Sequence, residues 1–175
     1  IASGRGDGDV WWGAASATLQ RAAADSLLAP YRPSWVEAES NIVGVDAEDR
    51  WQVAAVSPFV VAFNRELTQL TRAPRDWVDL YHPRWRGEVA FLDPALSDNG
   101  TAFLTGMLEG SLADGTDEIE GFDRLLRLDA TQGMYASDEE EAVRALGTGD
   151  AVAAVLPLHA VERLRHEYAD WLHYR

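Results

Sequence analysis

Residues 86–107 read RGEVAFLDPALSDNGTAFLTGM, and the fold turns on how this stretch is parsed. The apolar run in its first third predicts a β-strand over 86–93. Residues 101–112, TAFLTGMLEGSL, predict a helix, because Phe103 and Met107 stand four apart as on one buried face. Between them lies a loop of small polar residues, with Ser97, Asn99 and Thr101 around Gly100. The first turn of a helix carries unpaired N–H groups and a partial positive charge. Gly100 would let a ligand approach the backbone, and the hydroxyls would add donors. Spacing alone fits a plain cap by Ser97 or Asn99 better, since every helix needs one.

Working outward, the same strand-then-helix alternation recurs. DVWWGA (9–14) predicts a short strand, and Ser16 then caps a helix with Leu19, Ala23 and Leu27 on one face. WQVAAVSPFVVAFN (51–64) predicts two strand pieces joined at Ser57-Pro58, because proline cannot donate to a central ladder. PRDWVDLYH (74–82) predicts a helix ended by Pro83. Residues 116–129 predict an amphipathic helix through Ile119, Phe122, Leu125 and Leu126. In MYASDEEEAVRALGTGD, Ser137 fits an N-cap, Glu140 the third helical position of a capping box, and Gly147 the C-terminal stop. AVAAVLP (151–157) predicts a strand. LHAVERLRHEY (158–168) predicts a helix with Leu158, Val161, Leu164 and Tyr168 along one side. Alternating strands and helices imply an α/β fold with a largely parallel sheet, whose ligands collect where strand ends meet helix starts.

Composition bounds the chemistry. The chain has 175 residues and a net charge of −14. That charge argues against nucleic acid, which is bound by neutralising phosphates, and against an anionic membrane surface. A small anion stays possible, because local donors govern a site. The absence of Cys removes thiol nucleophiles, cysteine-ligated zinc and disulfides. No apolar run is long enough for a membrane helix. The chain begins at Ile1 with the polar IASGRGDGD and carries no signal segment, which reads as a fragment or a processed product.

Two further helix starts draw attention. In WWGA (11–14), Trp12 could wall a ligand and the Gly13 backbone could face one, although ordinary aromatic packing explains the pair somewhat better. Ser137 precedes the acidic run Glu139–Glu141, which suits a helix dipole better than a metal, because adjacent helical residues point apart. His82, His159, His166 and His173 form no HExxH, and no nucleophile elbow, phosphate-binding loop or dinucleotide fingerprint occurs. No catalytic residue, cofactor or metal ligand is assigned.

Four segments, taken in order, resemble one known group. DVWWGAASATLQRAAADSLLAPY is similar to its DV(F/W)WG-helix segment, and WQVAAVSPFVVAFNREL to its strand crossing between lobes. PRDWVDLYHPRWRGEVAFLDPALS resembles its P-x-(S/D)-W-x-D-L…G-x-(I/V)…D-P-x-x-S signature. AVRALGTGDAVAAVLPLHAVERL resembles a later strand and helix. The group is the bacterial extracellular solute-binding proteins of ABC importers, of the ferric-iron, thiamine and phosphonate type. The resemblance implies a type 2 periplasmic-binding fold, α/β with two lobes that close over a solute. On that reading residues 1–57 are part of an incomplete first lobe, 58–170 are the second lobe, and 171–175 begin a return crossing.

Carried over by position, Trp12, Gly13 and Ala14 would be the first-lobe contacts and Ser57 would lie at the crossing. Ser97, Asn99, Gly100 and Thr101 would be second-lobe donors, with Ser137 and the Pro157–His159 turn beside them. Iron-binding members place two adjacent tyrosines where this chain has His159-Ala160, which weighs against the hard-oxygen site of ferric iron. The expected solute is small and polar or anionic, such as a phosphonate or phosphate ester, while Trp12 keeps a cationic solute open. The expected partner is an ABC permease, with no nucleic acid. The expected location is periplasmic or extracellular, lipid-anchored in one version. A homo-oligomer would follow if sheet edges were left bare. The alternatives are a ferric-iron carrier, a ligand-sensing domain of a regulator, and an enzyme on a similar scaffold.

Overall fold

The computed structural model describes residues 10–175 apart from 15, 35, 37–45, 70–71, 114–117 and 169. The polar start at 1–9 therefore lies outside the described residues. The chain divides into two compact units, Ile1–Val56 and Ser57–Arg175.

In the first unit, helix α1 spans Ser16–Ala24 and buries Ala22 and Ala23. It stops earlier than the apolar spacing predicts. Ser26 adopts φ 58°, in the left-handed region, and Leu27 is exposed beyond it. The Arg50 guanidinium grips Asp46 through Nε and Nη2 at 2.8 and 3.0 Å and donates from Nη1 to the Ala23 carbonyl at 3.2 Å. This ties the 46–50 turn to a helix-end carbonyl that also accepts from Ser26 N at 3.0 Å. No strand forms over Val10–Ala14, contrary to expectation; a strand needs a ladder partner, and no strand pairing with them occurs among the described residues.

The second unit is a five-stranded sheet. Strands β1 (Phe59–Asn64), β2 (Val89–Leu92), β3 (Gln132–Ala136), β4 (Ala153–Pro157) and β5 (Leu172–Tyr174) lie in the order β3-β2-β4-β1-β5. β2 is parallel to β3 and β4, whereas β1 is antiparallel to both β4 and β5. The sheet is thus mixed rather than largely parallel, because the chain enters and leaves the unit on adjacent antiparallel strands. Only the second piece of 51–64 is a strand. Residues Leu172–Tyr174 form the edge strand β5. Strand β3 was not foreseen; its short QGMYA lacks an apolar alternation.

Helices α2 (Trp77–Leu80), α3 (Asp98–Ala113), α4 (Glu118–Asp129), α5 (Glu139–Thr148) and α6 (Leu158–Tyr168) complete the unit, with a 3₁₀ turn at Pro83–Trp85. Successive strand residues face opposite sides of the sheet with period two, and both sides are buried. Ala62, Ala90, Leu92, Ala154 and Leu156 face one core with Val143, Leu146, Val161 and Leu164 of α5 and α6. Val61, Val89, Phe91 and Val155 face the other with Leu80, Trp85 and Leu128. Phe103 of α3 closes this second core against Phe59 and Phe91, at ring distances of 5.3 and 6.1 Å.

Helix α4 is rotated from its expected face, of which only Leu125 turns inward. Ile119, Phe122 and Leu126 are exposed, while Gly121, Leu125 and Leu128 turn inward. At 100° per residue the centres of these two sets lie roughly 125° apart around a helix, and packing of α4 beside α3 selects the inward one.

Candidate functional site

The parallel strands β3, β2 and β4 all finish at one edge of the sheet, where the antiparallel β1 begins. The register fixes this, with Leu92 opposite Ala136 and Phe59 opposite Pro157. Each parallel strand then delivers a helix start at that edge: α3 after β2, α5 after β3 and α6 after β4. Ser97, Asn99, Gly100 and Thr101, Ser137, His159, and Ser57 therefore fall on a single edge, within four neighbouring strands spaced by about 4.8 Å. Trp12, Gly13 and Ala14 belong to the other unit. There Trp12 is exposed and Gly13 has φ 86°.

Most of the predicted donors already have partners in the protein. Helix α3 starts at Asp98, three residues before the expected position, so Asn99 and Gly100 form its first turn. Ser97 Oγ lies 3.4 Å from Gly100 N. Thr101 Oγ1 donates to the Pro94 carbonyl at 2.7 Å, and Asn99 Nδ2 donates to Glu139 Oε1 at 2.7 Å. Gly100 is buried rather than open to a ligand. A Cβ there would stand 2.8 Å from the Leu92 carbonyl oxygen and 2.9 Å from the Asp93 carbonyl. The glycine serves the close approach of α3 to the end of β2.

The α5 start is shifted by one residue from the prediction. Asp138 is the N-cap and accepts from Glu141 N at 2.8 Å, while Glu141 Oε2 receives both the N–H and the hydroxyl of Ser137 at 2.7 Å. These bonds hold the Glu141 carboxyl below its usual range, the backbone N–H first. Gly149, at φ 83°, rather than Gly147 closes the helix. Gly147 instead makes room for the Trp171 ring, which a Cβ would meet at 3.0 Å. The run SDEEE carries two overlapping capping-box spacings, Ser137 to Glu140 and Asp138 to Glu141, and sequence cannot choose between them. The role of Glu139 in holding Asn99 was also missed, since nothing local marks it.

The α6 start differs from the other two. Its first turn has no acidic residue, whereas α3 carries Asp98 and α5 carries Glu139, Glu140 and Glu141. The positive end of the α6 dipole is therefore not offset by a carboxylate of its own first turn. Two contacts fasten β1 to it. Leu158 N donates to the Pro58 carbonyl at 2.8 Å, and Ser57 Oγ accepts from His159 N at 3.0 Å. The same Oγ lies 2.9 Å from His159 Nδ1. Ser57 is half-buried and His159 exposed. Further out, Arg163 bridges α6 to Glu140 of α5 at 3.1 Å.

An apolar hollow of about 60 Å³ lies beneath the 94–100 turn, between α3, α4 and the β2–β3 end of the sheet. Its polar rim is Tyr135, whose hydroxyl donates to Asp129 Oδ1 at 2.5 Å. Burial, then this bond, pushes the phenol up to about 12. Among the described residues no group of three His, Asp or Glu is placed to hold a metal ion, and no helix is long and apolar enough to cross a membrane.

An α/β sheet with polar helix starts gathered at one edge is the architecture of a ligand-binding lobe. Residues 14–168 match the bacterial extracellular solute-binding protein family, and the chain belongs to that family. No curated protein sequence matches it. Solved structures share the type 2 periplasmic-binding fold. AfuA from Actinobacillus pleuropneumoniae, with exogenous fructose-6-phosphate bound, superposes with a TM-score of 0.74 at 22% identity, over 97% of this chain and 53% of that one. Iron-bound HitA from Pseudomonas aeruginosa gives 0.67 at 22% identity, over 89% and 48%. Trichodesmium IdiA (FutA), in complex with iron and citrate, gives 0.68 at 14% identity, over 89% and 50%. The chain thus spans about half the length of these structures.

Proposed function

We propose that this protein captures a small polar or anionic solute, with phosphate esters and phosphonates as the favoured class, and hands it to the permease of an ABC importer. Its role is binding rather than turnover. Ser57–Arg175 is read as the second lobe and the preceding residues as part of the first. Placement is periplasmic or extracellular, as for its family. The observation that carries this reading is the α6 start, where a helix dipole without first-turn carboxylates meets the Ser57–His159 pair. Asn99, Ser97, Gly100, Thr101 and Ser137 border it, and Trp12, Gly13 and Ala14 are the candidate solute-facing residues of the first unit. AfuA, with its bound sugar phosphate, lends support.

Thermal unfolding of the full chain with inorganic phosphate, fructose-6-phosphate and a simple phosphonate tests the reading. A bound solute raises stability by RT ln(1 + [L]/Kd), about 2.7 kcal/mol at a hundredfold excess over Kd. Saturable stabilisation by one of these is expected, and none by all three would overturn it. Ferric iron is the second reading, favoured by the iron-bound state of two neighbours. It requires a coloured complex with ferric citrate, which the first reading does not.

A further inference from the structure

We propose that Ser57 sets the tautomer of His159, so that the ring offers an Nε2–H donor to an acceptor oxygen of the solute and selects oxyanions over metal ions. This rests on the reading of the α6 start as the solute site. A serine hydroxyl has one hydrogen and two lone pairs. The His159 backbone N–H can only donate, and at 3.0 Å it takes one lone pair of Ser57 Oγ. The hydroxyl hydrogen is then free for the neighbour at 2.9 Å, His159 Nδ1. A ring nitrogen that accepts carries no proton, so the neutral imidazole holds its hydrogen on Nε2.

The reverse arrangement, with Nδ1–H donating to Oγ, would turn the hydroxyl hydrogen of the half-buried Ser57 away from the ring and towards solvent. It is nevertheless what metal ligation would need. A histidine that binds a metal through Nε2 uses that lone pair and donates its other N–H to an acceptor. Here Nδ1 faces a group that already receives one N–H and has a hydrogen to give. The exposed ring edge, beside a helix start with no first-turn carboxylate, is thus a donor, matched to a phosphate, phosphonate or carboxylate oxygen. Ser57 is a positioning residue. It opens the second unit and reaches His159 across 102 positions.

Long-range ¹H–¹⁵N correlation of the imidazoles in the full chain at about pH 8, where free histidine is neutral, reads the tautomer directly. His82 provides an internal reference, because its Nδ1 accepts from Arg84 N at 3.2 Å, and H159Q assigns the signal. His159 is expected in the Nε2–H form, S57A should give a mixture of tautomers, and S57T should restore the single form. Equimolar Zn²⁺ should leave the His159 signal in place. Inorganic phosphate should bind S57A about 3- to 10-fold more weakly than wild type, the value of one hydrogen bond, with S57T near wild type. An Nδ1–H signal in the wild type, an unchanged spectrum in S57A, or loss of the signal to Zn²⁺ would overturn the proposal. Phosphate binding with the wrong tautomer would sink the inference alone. The right tautomer with no oxyanion bound would sink the solute reading and the selectivity together.

Discussion

Asn99 Nδ2 donates to Glu139 Oε1 at 2.7 Å, joining the first turns of α3 and α5 across forty residues. The amide that sequence offers to a ligand is here partly spent on holding two helix starts in register at the sheet edge. A double-mutant cycle of N99A and E139A measures this. The coupling expected for a part-buried bond is about 0.5–1.5 kcal/mol in urea unfolding; additive effects would show that the contact stabilises nothing.

Gly100 and Gly106 sit in the same helix and should respond oppositely to alanine. A Cβ on Gly100 would meet the Leu92 and Asp93 carbonyls at 2.8–2.9 Å, while one on Gly106 meets nothing within 4 Å. G100A should cost about 1–3 kcal/mol by forcing α3 off the end of β2. G106A should stabilise by up to about 1 kcal/mol through helix propensity alone. Chemical denaturation midpoints decide both.

At the α5 start the cap is Asp138, not Ser137. D138A removes the acceptor of Glu141 N–H and should cost about 1 kcal/mol. S137A leaves its own N–H bonded to Glu141 and should cost less. Equal losses in thermal melts would contradict the observed cap.

Burial, then Arg65 and Arg165, lowers the His173 imidazole below its ordinary value. The folded state thus favours the neutral ring. Stability from this group is present above the unfolded value near 6.5 and is lost as pH falls through the folded one. Urea midpoints should drop between about pH 7.5 and 5, and H173Q should flatten that drop. The carboxylates with lowered values, Asp46 (about 2), Glu141 and Glu162, lose their contributions only at more acid pH.

Residue order alone dictated the local structure. The strand at 153–157 and the helix at 158–168 stand where residue periodicity put them. The strand-to-helix junction after residue 92 was visible from its composition, and the resemblance led to the right family. Where two local solutions competed, as in SDEEE, the cap slipped by one residue. Long-range packing settled that β1 alone runs antiparallel, between β4 and β5, that α4 turns Gly121 and Leu128 inward, and that Gly100 packs rather than admits. It also paired Ser57 with His159. The physical reason is common to all four. Periodicity and capping act within a few residues, whereas strand partners, buried faces and the last free hydrogen of a hydroxyl depend on groups far away in the chain.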